Sequence, residues 1–188
     1  MKKVPDKRSA ILQAALELFA ENGFKGSPTA LIAKRAGVAT GTLFFYFKNK
    51  EELIRELFQE VLVQINSIAL EDEPEVMPIR ERFIRAFSRI LRYFLDNPKI
   101  FLFVDQYHFS SLRDRGVSTV GENETLRLLL MQAREEKVIK DAPLLVLEAI
   151  AFGPPAAIAR EHASSGTSIG DDVIEAVVQA CWDGLERR

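Results

Sequence analysis

From Ile11 to Leu185 the apolar residues recur three and four positions apart, and no convincing alternation of period two appears anywhere. One face of a helix repeats every 3.6 residues and one face of a strand every two, so this spacing restricts the chain to helices packed on helices. In residues 8 to 22, Ile11, Leu12, Ala15, Leu18 and Phe19 form such a face, closed by Asn22-Gly23. Ser27-Pro28 reads as an N-cap followed by proline at the first helical position. Asn49, with Glu52 three residues on, reads as the cap of a helix that Leu53, Leu57, Val61 and Ile65 carry to about residue 70. The acidic run Glu71 to Pro78 is the linker candidate. Beyond it, Ile79, Phe83, Phe87, Ile90, Leu91 and Phe94 form a long stripe ended by Asp96-Asn97-Pro98, and further helices read at about 98 to 112, 122 to 137, 143 to 162 and 171 to 186. The expected architecture is all-α, with about nine helices, an N-terminal three-helix bundle and no internal repeat.

The formal net charge of -2 argues, as an average, against a nucleic-acid partner. Divided at Lys50 it says the opposite. Residues 1 to 50 hold nine basic side chains (Lys2, Lys3, Lys7, Arg8, Lys25, Lys34, Arg35, Lys48, Lys50) and three acidic ones (Asp6, Glu17, Glu21), a balance of +6, so the remainder carries -8. A basic head on an acidic body is the pattern of a nucleic-acid reader fused to something else.

Within that head, residues 29 to 47 have the residue types a helix-turn-helix needs. Ala33 is small where two helices cross, and Gly37 falls where the first helix stops and the backbone turns with positive φ. Ile32, Ala36, Val38, Leu43 and Phe47 are placed to bury the inner faces of both helices. The second helix then turns Thr40, Gly41, Thr42, Phe44 and Phe45 outward, short or flat side chains that permit close approach to a major groove. The alternative is a plain helical hairpin whose glycines are only turns; the basic flanks and the Asn49 cap weigh against it.

Residues 9 to 57 resemble the N-terminal DNA-binding domain of the tetracycline-repressor (TetR-like) family of bacterial regulators. The resemblance is carried by ILQAALELFAENG (Ile11 to Gly23), IAKRAGV (Ile32 to Val38), Gly41-Thr42-Leu43 and the run Tyr46 to Leu53. It implies a homodimer that binds a palindromic double-stranded DNA operator and leaves it when a small molecule occupies the C-terminal domain. Thr40, Gly41, Thr42, Phe44 and Phe45 would then face the DNA, with Lys48 and Thr29 on phosphates. Ala39 stands where the family often has a capping serine, Phe44 where tyrosine is usual, and Phe45 where histidine or tyrosine is frequent. Lys2, Lys3, Lys7 and Arg8 read either as a DNA-tracking arm or as a solvated tail.

The division expected is residues 1–50 for DNA binding and 51–188 for effector binding and dimerisation. Residues 83 to 109 hold eight of the chain's seventeen aromatics, which suits either an apolar ligand cavity or a filled core. Phe87, Phe94 and Phe103, with Gln106, Tyr107 and His108 as orienting polar groups, are the candidate ligand contacts. Leu144, Leu147, Ile150 and Ala151, and Val173, Ile174, Val177, Val178, Cys181 and Leu185, give the last two helices wide apolar faces, which the resemblance assigns to a four-helix dimer interface. Gly153-Pro154-Pro155 is expected to kink or split the first of them.

A single cysteine and the charged residues interrupting every apolar run argue for a cytoplasmic chain with no membrane span. His108 and His162 are the only histidines, and no catalytic triad, phosphate loop or metal spacing accompanies them, so neither an enzyme nor a cofactor is expected. A ligand-responsive repressor released by a small hydrophobic molecule is the resulting expectation; an activator, or a carrier that no longer uses its DNA motif, is the alternative.

Overall fold

A computed structural model describes residues 6–71, 77–112 and 124–187. Among them the chain forms nine helices: α1 Lys7–Asn22, α2 Thr29–Arg35, α3 Thr40–Tyr46, α4 Lys50–Leu70, α5 Ile79–Asp96, α6 Pro98–His108, α7 Glu124–Glu135, α8 Leu144–Ser165 and α9 Asp171–Leu185. The one extended pairing among the described residues is a single antiparallel bridge between Ile139 and Glu186. The all-helical expectation from periodicity holds. The linker candidate falls largely on residues 72–76, which lie outside the described residues, as do Lys2 and Lys3.

The apolar stripes bury as their spacing requires. Ile11, Leu12, Ala15, Leu18 and Phe19 of α1 join Ile32, Leu43 and Phe47 beneath the first three helices, while Leu53, Leu57, Val61 and Ile65 carry the same core along α4. Asn49 Oδ1 accepts from the Glu52 N–H at 2.8 Å and the Glu52 carboxylate accepts from the Lys48 N–H one residue before the cap, and together these bonds fix where α4 starts.

Two local expectations are corrected and a third, the kink or split at the prolines, is narrowed. Ser27 does not cap α2, whose N-cap is Pro28; the buried Ser27 hydroxyl instead donates toward the Leu18 and Gly23 carbonyls, satisfying the end of α1. Pro154 and Pro155 do not split α8, which runs through both. They remove two backbone donors, while Gly153, with no Cβ, lacks the atom that a proline Cδ strikes on a preceding helical residue. Finally, the apolar faces of the last two helices are largely used within the chain: Leu147, Ala151, Ile174, Val178, Cys181 and Leu185 are buried in its own core. What α8 and α9 leave exposed is Leu145 and Val146, outside the expected faces, and Val173, within them.

Candidate DNA interface and effector cavity

The two short helices α2 and α3 are joined at Gly37, whose φ of 69° is the left-handed value that glycine adopts without a Cβ clash. The Gly37 N–H donates to the Lys34 carbonyl and the Val38 N–H to the Ala33 carbonyl, closing α2 and turning the chain into α3. Leu43 and Phe47 are fully buried and Ala36 and Val38 pack on the core from half-buried positions. With its inner side committed, α3 shows Thr40, Gly41, Phe44 and Phe45 to solvent, while Thr42 is half-buried. Phe45 is 81% exposed and Phe44 47%, which no packing requirement explains. Ala39 gives α3 no side-chain cap. Thr29 opens α2 from a half-buried position and Lys48 is exposed just past α3.

The basic charge of the head is more selective than its count. Arg8 pairs with Glu56 at 2.6 Å and Glu60 at 2.5 Å, both on α4, which removes it from the arm reading and raises its pKa. Arg35 is held by Glu17 and Glu21, and Lys50 donates to the Phe24 carbonyl. Burial lowers the Lys50 pKa. Lys7, Lys25, Lys34 and Lys48 stay exposed, and their charge is the part available to a polyanion.

The second site lies between α4, α5, α6 and α8, a cavity of about 440 Å³ lined mainly by Phe and aliphatic side chains. Of the candidate ligand contacts, Phe87, Phe94 and His108 line it. Phe103, Gln106 and Tyr107 do not, because residues 101, 104, 105 and 108 occupy the cavity face of α6 and these three point toward α1 and α4. There Phe103 stacks on Phe19 and meets Phe24 edge-on, Tyr107 stacks on Phe58 at 3.8 Å, and Gln106 Oε1 accepts from the Phe24 N–H. Lys99 adds an ion pair to Glu21 at 3.3 Å; Arg35 first and then Lys99 hold that carboxyl below its ordinary pKa. One helix thus walls the cavity on one side and grips the DNA-binding head on the other.

Sequence reasoning missed the lining that α4 and α8 provide, including Phe58, Leu62, Phe152, Glu148 and Arg160. The one signal available was Glu148, a charge inside the most apolar stretch of the chain; it is 3% exposed and faces Arg127 at 3.9 Å.

An exposed recognition helix on a compact three-helix head, joined to an all-helical body, defines a helix-turn-helix transcriptional regulator. Residues 11–57 match the family model described as bacterial regulatory proteins, tetR family, and residues 78–186 match a tetracyclin repressor-like C-terminal domain. The chain belongs to the TetR family of transcriptional regulators. It is similar to a fatty acid metabolism regulator protein of Bacillus subtilis (strain 168), 40% identical over 89 residues that make 47% of this chain and 46% of that one; the match therefore spans about half the length of that curated relative. A TetR family transcription regulator of Marinobacter aquaeolei VT8 superposes with a TM-score of 0.86 at 26% identity, over 97% of this chain and 96% of that one. The Bacillus subtilis transcriptional regulator FadR in complex with stearoyl-CoA shares the fold, with a TM-score of 0.71 at 22% identity over 94% and 98% of the two chains. Among the described residues no helix is long and apolar enough to cross a membrane.

Proposed function

We propose that this protein is a cytoplasmic homodimeric repressor, with residues 1–50 reading a palindromic operator and residues 51–188 pairing with a second copy and sensing an acyl-chain ligand. The observation that carries the reading is the cavity: about 440 Å³ of largely apolar space on the same helix that holds the DNA-binding head. A fatty acid metabolism regulator among the relatives, and a stearoyl-CoA complex among the fold neighbours, support an aliphatic chain as its occupant. Thr40, Gly41, Thr42, Phe44 and Phe45 meet the major groove, and Thr29 and Lys48 meet phosphates. Leu145, Val146 and Val173 supply exposed apolar surface for pairing of α8 and α9 with their copies.

Operator binding needs the two recognition helices one helical turn apart, roughly 34 Å. A ligand that prefers a differently spaced dimer weakens DNA binding by the coupling energy between the sites. A hundredfold release takes about 2.7 kcal/mol, within the usual range for allosteric coupling. Two routes lead from the cavity to the head: α4, continuous from the head into the cavity wall, and α6, clamped onto the end of α1. Genomic footprinting with the full chain would yield the operator, and titrating palmitoyl-CoA onto the operator complex tests the rest. Release at saturating ligand is expected; an operator complex indifferent to acyl ligands overturns the reading.

A further inference from the structure

We propose that Arg160 reads an acidic head group on the ligand, exchanging the Asp105 carboxylate for the ligand's own. This rests on the acyl-chain reading above and adds to it where each end of the ligand lies. Four ionisable side chains line the cavity, Asp105, His108, Glu148 and Arg160, and Arg160 is the one Lys or Arg among the described lining residues. The deep carboxylate, Glu148, is almost wholly buried and faces Arg127. An anion brought there meets a like charge where water is least available, which is the costliest place for it. Asp105 and Arg160 lie closer to solvent, with side-chain exposures of 22% and 47%. A ligand acid held at that end keeps part of its hydration while its chain fills the Phe-lined interior.

The guanidinium is already set for such a group. Arg160 Nη2 donates to Asp105 Oδ1 at 2.5 Å and Nε donates to Oδ2 at 3.2 Å, a two-pronged pairing that fits any carboxylate, and phosphate oxygens equally. Exchange releases Asp105 toward water and leaves Arg160 paired with the ligand, so no charge is stranded in the apolar interior. It also has a mechanical consequence. Asp105 is on α6 and Arg160 on α8, and theirs is the one ion pair joining these helices among the described residues. Losing it removes that tie and leaves α6 held to α8 by apolar packing, including Phe101 and Ala159, on the side opposite its grip on α1.

Isothermal titration of the full chain, Arg160→Gln and Asp105→Asn tests this with palmitate, palmitoyl-CoA, hexadecanol and hexadecyltrimethylammonium. Arg160→Gln is expected to weaken the anionic ligand about tenfold, as loss of a charge-assisted fork does. Asp105→Asn, which weakens the competitor, is expected to tighten the same ligand severalfold, and hexadecanol should respond to neither. Whether palmitate or palmitoyl-CoA shows the pattern tells a carboxylate head from a phosphate one. A tie that serves structure alone would move both variants in one direction, and hexadecanol with them, which overturns the proposal. So would wild-type preference for the ammonium. Should Arg160→Gln fail to fold, Asp105→Asn decides: absence of tightening overturns it. Wild-type binding of none of the chain ligands removes the acyl-chain reading itself, whereas palmitate binding that ignores both substitutions removes only the role of Arg160.

Discussion

The Phe24 N–H donates a 2.8 Å hydrogen bond to Gln106 Oε1, joining the end of α1 to the last turn of α6 across 82 positions of sequence. The carbonyl of the same residue accepts from Lys50 Nζ on α4. Phe24 is therefore clipped from both sides by helices that wall the cavity. Gly23 beside it has φ 73°, and a Cβ there would lie 3.4 Å from Gln106 Nε2. The positive φ, not that ordinary contact, is why glycine ends α1.

Replacing Gln106 with alanine leaves a half-buried backbone N–H without its acceptor. The expected cost is about 1–2 kcal/mol, seen as a lower urea midpoint at unchanged m-value. On the proposed α6 route, operator affinity without ligand should change little, while ligand-driven release should shrink. Fluorescence anisotropy on labelled operator, with and without palmitoyl-CoA, measures both.

Phe45 is 81% exposed and packs edge-on against Tyr46 alone among rings, so Phe45→Ala should leave stability within about 0.5 kcal/mol. If its ring meets thymine methyls, selection from random duplexes should show relaxed preference at one A·T position per half-site, a loss of about 1–3 kcal/mol of discrimination there. Unchanged operator preference would show that Phe45 is not a reader.

Arg8 and Lys48 are both basic but differ in what they can offer DNA. Lys48 is exposed and has no ion pair among the described residues, whereas Arg8 is already neutralised by Glu56 and Glu60 and lies over the Phe47 ring. Lys48→Ala is expected to reduce the slope of log K against log salt by about 0.9, and Arg8→Ala to leave it unchanged. The slopes from binding titrations at several salt concentrations decide between them.

Cys181 is buried in α9, and burial raises its thiol pKa from the ordinary 9.0 to about 11. The folded value lies above the unfolded one, so the stability this neutral thiol contributes is intact below pH 9 and falls as pH rises toward 11. Wild type should lose more stability over that window than Cys181→Ala does. At pH 8, iodoacetamide labelling of the native protein should be slow and should accelerate only with unfolding.

Much of the head is legible from local chemistry. Gly37 must be where a left-handed residue is needed, Asn49 caps the Glu52 N–H three residues on, and the i, i+4 stripes determine which sides of α1 and α4 are buried. Those rules act within a few residues, so a linear reading reaches them. That α6 carries two different aromatic faces was also implicit in its period, but nothing local says which face meets a cavity. Phe87, Phe94 and His108 fell on one side of that choice, and Phe103, Gln106 and Tyr107 on the other.

The chain's own order of residues thus determined an all-helical regulator with a basic reading head. Tertiary packing alone decided that Arg8 pairs with Glu56 and Glu60 on α4, that α8 runs through two prolines, that most of the apolar faces of α8 and α9 are spent inside the chain, and that Arg160 comes to Asp105 across 55 positions. The physical reason is range. Periodicity, capping and turn chemistry are settled between neighbours, whereas a cavity or an ion pair exists only once distant helices have closed around the same space.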